Sequence, residues 1–156
     1  MNNNIVLKNF ITKDIRTKYV NLIQYAIKKG NKNKMENIFR SLLFFIIKNN
    51  SIQHNFTFNN IATAISNTSP KISVKTKRKG SKNVYIPTTI TKNHSKYLSS
   101  NWLLTHAKLK NNKCFYKNLA EELIESSHKK SLSFKKCYEM HKLAEASLSN
   151  LKNKAK

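Results

Sequence analysis

The only acidic cluster of the chain consists of Glu121, Glu122 and Glu125, and paired carboxylates are the pattern most able to do chemistry here. Glu121 and Glu125 are spaced to share one helical face, and His128 follows a turn later. Such a pair could serve a nuclease or a glycosidase. No nucleophile, metal-ligand spacing or phosphate-binding glycine loop accompanies it. We therefore expect no catalytic residues: the cluster is predicted to open a helix, where the macrodipole favours anions, with Glu125 pairing with Lys129.

The histidines and cysteines show no ligand spacing either. Cys114 and Cys137 are far apart, and no CxxC or HExxH pattern occurs, so we expect free reduced thiols, no metal and no cofactor. His141 falls on an apolar stripe, which favours a hydrogen-bonded, partly buried side chain. The five histidines are His54, His94, His106, His128 and His141.

The charge of the chain points to a polyanionic partner. Thirty Lys and Arg against seven Asp and Glu leave a formal net charge of +23, which favours a nucleic acid. Because only Arg16, Arg40 and Arg78 are arginines, we expect contacts with phosphates more than reading of bases. The longest apolar run, Leu42 to Ile47, is far below the roughly 20 residues of a membrane span, so no membrane partner is expected.

Apolar spacing predicts the elements that carry this charge. Three- and four-residue periods predict six helices: Asp14 to Lys29, ended by Gly30; Met35 to Ile46; Phe58 to Ile65; Leu98 to Leu109; Phe115 to Ile124; and Phe134 to Leu151, capped by Ser131. Phe44, Phe45 and Ile47 widen the apolar face of the second helix, which predicts that it lies in the middle of the bundle.

A change of period between the third and fourth helices predicts a basic hairpin, residues 71–90. Ile72, Val74 and Thr76 alternate with lysines, which indicates a strand with one cationic face. Residues 80–83 are predicted as the turn and residues 84–90 as the return strand, which Pro87 confines to an edge. An isolated two-stranded ribbon is marginal in water, so we expect RNA to support it. The alternative is a solvated hairpin whose charges prevent aggregation.

The fold prediction is therefore mainly α: a bundle of six helices with a protruding two-stranded antiparallel β-hairpin between the third and fourth helices. We expect one domain over residues 14–152, a flexible N-terminal extension at 1–13 and a basic tail at 153–156. Trp102 and most other aromatic residues fall on core faces. Tyr85, on the hairpin, is the aromatic residue predicted to be available for stacking on a base.

These motifs resemble those of the bacterial-type small-subunit ribosomal protein seven family. The closest likeness runs through the hairpin, from Asn67 and Pro70-Lys71-Ile72-Ser73-Val74 through Thr76-Lys77-Arg78-Lys79-Gly80 to Val84-Tyr85-Ile86-Pro87. Trp102-Leu103, Lys135-Lys136 and the segment from His141 to Ala146 match further positions. The likeness covers Asp14 to Asn150, and the chain departs from the family at Asn31, Asn101 and Ser147 and lacks its aromatic ending, so contacts there are expected to differ.

The resemblance implies a protein that binds the three-prime major domain of small-subunit ribosomal RNA and nucleates assembly of the head. It implies that the hairpin tip lies near the exit-site tRNA and mRNA path, and that neighbouring small-subunit ribosomal proteins are partners. The implied RNA-binding residues are Lys28, Lys29, Lys32, Lys34, Lys71, Lys75, Lys77 and Arg78. The implied tRNA- and mRNA-proximal residues are Lys79, Gly80, Ser81, Lys82 and Asn83.

Two further expectations complete the analysis. The alternative function is a DNA-binding architectural protein that uses the hairpin as a basic β-ribbon arm. A composition rich in Asn, Lys and Ile, without a convincing presequence, predicts an organelle-encoded protein of a mitochondrion, with a plastid or the bacterial cytoplasm as alternatives.

Overall fold

The computed structural model describes residues 13–50 and 54–152. It confirms a mainly helical fold in which six helices carry a two-stranded ribbon between the third and the fourth, and it adds a one-turn helix at the end of the described part. Most of the predicted extension and all of the predicted tail lie outside the described residues. The elements are α1 Lys13–Ala26, α2 Lys32–Asn50, α3 His54–Thr68, β1 Ile72–Lys79, β2 Lys82–Thr89, α4 Lys92–Leu109, α5 Phe115–Ser127, α6 Leu132–Ala146 and α7 Ser149–Lys152.

The centre of the bundle is α5, which packs against α2, α3 and α4. The fully buried side chains at this centre include Leu22, Phe39, Leu42, Leu103, Leu119 and Leu123. The prediction that α2 occupies the middle is wrong, because Phe44 is 70% exposed. Phe44 lies two positions after buried Leu42, about 200° around the helix, so the core that takes Leu42 cannot also take Phe44.

Several helix ends differ from the predicted ones for local reasons. The first helix ends at Ala26, short of Lys29, because Lys29 and Gly30 both turn through positive φ (+53° and +74°). The Thr91 hydroxyl accepts from His94 N and starts α4 at Lys92. The predicted cap Ser131 is confirmed: its Oγ accepts from Phe134 N at 3.0 Å.

The last predicted helix is interrupted. Helix α6 ends at Ala146, and the Ser147 hydroxyl donates to Ala144 O at 3.0 Å as the chain turns into α7. A hydroxyl that satisfies a carbonyl of the last turn competes with continuation of the helix. The single helix predicted to run to Leu151 is thus two helices.

The ribbon turns more tightly than predicted. Lys79 pairs with Lys82, so the loop is only Gly80 and Ser81, and Lys82 and Asn83 belong to β2 instead of the predicted four-residue turn. Gly80 has φ +61°, which suits the first position of the two-residue turns that match strand twist. The tip of the ribbon is therefore short and cationic on both sides.

Three helices contact the ribbon. Ser95 of α4 donates its hydroxyl to Pro70 O at 2.7 Å, just before the base, and Asn150 of α7 donates to Tyr85 O at 3.0 Å, near the middle of β2. His141 of α6, half-buried, accepts from Lys71 N at 3.1 Å through Nε2, which confirms the predicted hydrogen-bonded histidine. The ribbon is thereby held to the bundle at its base and at the middle of β2, while its tip protrudes.

Candidate nucleic-acid interface

One face of the ribbon is a row of lysines. Cross-strand partners share a face, and the register pairs Lys75 with Ile86, Lys77 with Val84 and Lys79 with Lys82. The side chains of Lys75, Lys77, Lys79 and Lys82, which we name the lysine face, are all exposed. This confirms the predicted cationic face and extends it across the turn onto the second strand.

Arg78 lies on the opposite face of the ribbon from these lysines. It pairs with Asn83, and the next pair on the same face is Thr76 with Tyr85. The Arg78 guanidinium donates from Nε to Gly80 O at 3.3 Å, and the Tyr85 side chain is 44% exposed. The ribbon thus offers lysines for phosphates on one face, and an arginine with an accessible aromatic ring on the other.

The turn between α1 and α2 and the first turn of α2 carry the second predicted set. Lys28, Lys29, Lys32 and Lys34 are all exposed there. Lys32 lies 3.8 Å from the Glu36 carboxylate, an exposed pair one turn along the helix. Lys28, Lys29 and Lys34 line a cleft of about 480 Å³ whose other wall is the C-terminal half of α4, and we name it the cationic cleft.

The structure brings a further lysine to this cleft that sequence analysis did not predict. Lys108 of α4 lines the cleft together with Lys28, and a side-chain hydrogen bond with Lys28, followed by burial and by the charge of Lys28, lowers the pKa of Lys108. Two cationic side chains that line one cleft favour an anion between them. No local pattern in the sequence could reveal this pair, because it depends on the packing of α1 against α4.

The ribbon base and the cationic cleft lie toward opposite ends of α4. Ser95, which contacts the ribbon base, precedes Lys108 by thirteen residues, about 20 Å along a helix axis. Lys71, the predicted residue at the start of the ribbon, is exposed and lies at the Ser95 end. The predicted residues therefore form two separated cationic regions on one bundle, which suits a folded nucleic acid better than a small ligand.

The acidic cluster is structural, although not for the predicted reasons. Helix α5 begins at Phe115, so the cluster lies in its middle and later turns, not in its first turn. Glu121 accepts from Asn112 Nδ2 at 3.1 Å, and Glu125 contacts Lys110 Nζ at 2.8 Å instead of the predicted Lys129. These carboxylates tie the α4–α5 loop to α5.

Glu122 is fully buried and organises the contact between α5 and α6. Its Oε1 accepts from the Ser133 hydroxyl at 2.7 Å and from Ser133 N at 3.3 Å. Its Oε2 lies 3.5 Å from Lys110 Nζ, close enough for ionic attraction although without hydrogen-bond geometry. Because the Ser133 hydroxyl donates to Glu122, its oxygen accepts from His106 Nδ1 at 2.9 Å.

Burial lowers the pKa of His106 below its ordinary value, against the opposing charge of Glu122 and with a smaller contribution from Lys136. The unfolded chain then binds a proton to this histidine more readily than the folded chain does. Stability from this group is fully present above its ordinary pKa of 6.5 and falls as pH drops from there through the lowered folded value.

Packing also accounts for Trp102 and the two cysteines, the other side chains that could have a chemical role. Trp102 is buried, as predicted, with Lys136 Nζ 5.7 Å from its ring centroid. Both cysteines are free, and burial raises the pKa of Cys137.

Within residues 13–50 and 54–152, no group of three or more potential ligands could hold a metal ion. None of the helices in this part of the chain has the length and apolarity needed to cross a membrane.

Comparison with known proteins agrees with this geometry. The model of the family Ribosomal protein S7p/S5e matches residues 2–147. The chain is 35% identical over 130 residues to Small ribosomal subunit protein uS7 of Mycoplasmopsis pulmonis, which spans 83% of this chain and 80% of that protein. It is 35% identical over 124 residues to the protein of the same name from Rickettsia prowazekii, covering 80% of this chain and 76% of that one.

Proposed function

Because the chain belongs to the Ribosomal protein S7p/S5e family, we propose that its lysine face and its cationic cleft together grip folded small-subunit ribosomal RNA. As a member of this family it is a structural protein of the small ribosomal subunit that serves translation, and it is not an enzyme. The resemblance drawn from the hairpin motifs is thereby confirmed.

The observation that carries the proposal is the one-sided lysine face on a ribbon anchored at its base. Four exposed ammonium groups on a short antiparallel ribbon have no acidic partner within 4 Å among the described residues. Phosphates neutralise such a row without regard to base sequence. The cationic cleft, about 20 Å along α4 from the base of the ribbon, adds a second grip, which suits recognition of shape.

The finer role follows the family resemblance. We propose that the RNA is the three-prime major domain, that binding there nucleates assembly of the head, and that neighbouring small-subunit proteins join it. The ribbon tip, from Lys79 to Asn83, would lie near the exit-site tRNA and mRNA. The tip is a two-residue turn between two exposed lysines, which supports contact with a polyanion.

Binding to a three-prime-domain transcript tests the proposal. Wild-type affinity should fall steeply with salt, because each neutralised phosphate contributes roughly 0.9 to the log-log slope for a duplex. The variant Lys75→Ala/Lys77→Ala should bind more weakly, with a slope shallower by about two. The matched control, Lys113→Ala/Lys130→Ala, removes the same charge from exposed positions outside both regions and should keep most of the affinity. Equal behaviour of the two variants would remove the ribbon from the interface.

Competition separates this function from a DNA-binding architectural protein. The ribbon is the feature that such a protein would use. Folded ribosomal RNA should displace duplex DNA from the protein at equal nucleotide concentration. If duplex DNA instead displaced the RNA, the ribosomal proposal would be abandoned.

The compartment is a separate proposal. The amino-acid composition supports a mitochondrial ribosome, whereas both relatives compared above are bacterial, which fits the alternative of the bacterial cytoplasm. Co-sedimentation of the protein with small subunits from fractionated cells decides between them. If the protein sediments with the small ribosomal subunits of a bacterial cytoplasm, the proposal of a mitochondrial ribosome is rejected.

A further inference from the structure

A groove between α2 and α5 combines exposed aromatic surface with positive charge. It encloses about 630 Å³ and is lined by Arg40, Ser41, Phe44, Phe45, Lys48, Tyr116 and Lys117. The Phe44 ring is 70% exposed, the highest exposure among the large hydrophobic side chains described. Exposed apolar surface that lies in a groove and is rimmed by polar or charged residues marks candidate binding sites.

The charged and aromatic side chains alternate along one ridge of α2. Arg40, Phe44 and Lys48 follow one another at four-residue spacing, so they lie on neighbouring turns of the same helix face. The two cations are eight residues apart, about 12 Å along the axis, with the ring between them. This order places one positive group on either side of an exposed aromatic face.

The floor of the groove is already packed, which leaves Phe44 as its accessible ring. Phe45 meets Tyr116 edge-on, with ring centroids 6.0 Å apart at 77°. Lys117 Nζ lies 5.9 Å from the Phe45 centroid and adds a third cation at the rim. Phe44, among the residues that the structure describes, has no ring or cation contact of this kind.

We propose that this groove binds an unpaired nucleotide of the ribosomal RNA, with its base stacked on Phe44 and its flanking phosphates on Arg40 and Lys48. Stacking on an exposed aromatic ring between cations is how proteins hold single-stranded nucleic acid without reading its sequence. The inference rests on the proposed RNA-binding function and adds a site that neither the ribbon nor the cationic cleft supplies.

Charge argues for RNA over a protein partner in this groove. Every ionisable lining residue that can carry charge at neutral pH is positive. The nearest acid along α2, Glu36, contacts Lys32 at 3.8 Å. An apolar protein surface seated on Phe44 would desolvate three cations without a counter-charge, which is costly.

The groove is also separate from the lysine face of the ribbon and from the cationic cleft. The ribbon rests on α6 and α7, and the cationic cleft lies between α4 and the turn that joins α1 to α2. The groove lies between α2 and α5. A variant in the groove should therefore change single-strand binding while it leaves the ribbon contacts intact.

The probe is a dodecamer of uridylates that carries one 2-aminopurine, compared with duplex RNA of equal length. Phe44→Ala should weaken binding of the single strand by about tenfold and abolish the fluorescence change of the stacked base. Phe44→Trp should restore both. Arg40→Ala and Lys48→Ala should each lower the single-strand salt slope by about 0.7, whereas Phe44→Ala leaves it unchanged.

The control is Leu109→Ala, which removes a large hydrophobic side chain that is 68% exposed and lies outside the groove. It should leave the single-strand affinity, the fluorescence change and the salt slope as in the wild type. Because Phe44 is exposed, its variants should keep the far-UV helix signal and melting temperature of the wild type. Wild-type affinity of Phe44→Ala for the single strand overturns the inference, as does an equal loss on duplex RNA. So does a loss seen only in assembly with other ribosomal proteins, which would indicate a protein partner.

The two proposals fail differently. If Phe44→Ala binds normally while the ribbon variant loses affinity for the three-prime-domain transcript, the groove is rejected and the proposed function stands. If wild-type protein shows no salt-dependent binding to that transcript, the proposed function itself is rejected.

Discussion

Replacing buried Glu122 by Ala should destabilise the fold far more than replacing its neighbour Glu121. Glu122 is fully buried and accepts two hydrogen bonds from Ser133, one from the hydroxyl and one from the backbone. Its loss leaves both donors without an acceptor and opens a cavity between α5 and α6. Glu121 accepts only from Asn112 in an exposed contact, so its carboxylate can be replaced by water.

The expected magnitude follows from what each partner retains. Removing one member of a buried ion pair costs about 3–5 kcal/mol. Lys110 keeps its 2.8 Å contact with Glu125, so the charge is not orphaned and the lower end, about 3 kcal/mol, applies. Glu122→Gln preserves the shape and one acceptor oxygen for Ser133 but removes the charge that assists these bonds and attracts Lys110 Nζ at 3.5 Å, so it should cost about 1–2 kcal/mol. Glu121→Ala should cost under about 1 kcal/mol.

Urea unfolding followed by far-UV circular dichroism measures these differences. With a slope near 2 kcal/mol/M, Glu122→Ala should lower the urea midpoint by about 1.5 M. The melting temperature should fall by about 6–12 °C for a chain of this size. The expected order of stability is wild type, Glu121→Ala, Glu122→Gln and then Glu122→Ala. Equal midpoints for Glu121→Ala and Glu122→Ala would refute the assignment of Glu122 as the organising contact.

The consequence for function passes through α6. Helix α6 carries both Ser133, at its start, and His141, which holds the ribbon base at Lys71 N. Below its melting temperature, Glu122→Gln should keep the RNA affinity of the wild type, since it leaves α6 in place. A large loss of affinity with an intact helix signal would mean that the carboxylate acts on RNA directly, contrary to its complete burial.

Three further outcomes are expected. The free energy of unfolding should decline as pH falls from about 6.5, where His106 begins to protonate in the unfolded chain. His106→Asn should weaken the dependence of the urea midpoint on pH between about pH 7.5 and 5, and an unchanged dependence would show that His106 is not its source. Lys28→Ala should raise the pKa of Lys108 toward its ordinary value, because Lys28 supplies the largest cause of its depression; NMR titration of Lys108 Cε checks this, and no shift would mean that the two ammonium groups are apart. Asn67→Ala should cost about 1–3 kcal/mol in urea unfolding, since its Nδ2 donates to the last two carbonyls of α5 at 3.1 Å, and Asn67→Asp, without a donor, should not rescue it.

Local patterns determined the elements and the direction of many side chains. The three- and four-residue periods specified six helices because helical neighbours three and four apart share a face whatever lies opposite. Alternation in β1 specified the lysine face for the same reason, since successive strand residues point to opposite sides. The family resemblance likewise came from motifs contiguous in sequence, chiefly in the ribbon.

Those patterns could not show which of the apolar residues on a helix the core would bury. Phe44 looked like part of a broad apolar face, yet the packing of α2 on α5 takes Leu42 and leaves Phe44 outside. The turn of the ribbon was predicted two residues too long because pairing continues to Lys79 and Lys82, beyond the last apolar residues. Periodicity describes one element at a time, whereas burial is settled by how much surface its neighbours cover.

The composition and order of the residues were enough to specify a basic helical bundle with a cationic ribbon and to indicate ribosomal RNA as its partner. Only the tertiary structure decided which distant charges meet: Glu125 with Lys110, and Lys28 with Lys108. It also decided that an aromatic ring remains exposed between Arg40 and Lys48. The physical reason is that side-chain direction is a local property of the backbone, while contact between residues remote in sequence depends on the packing of whole helices.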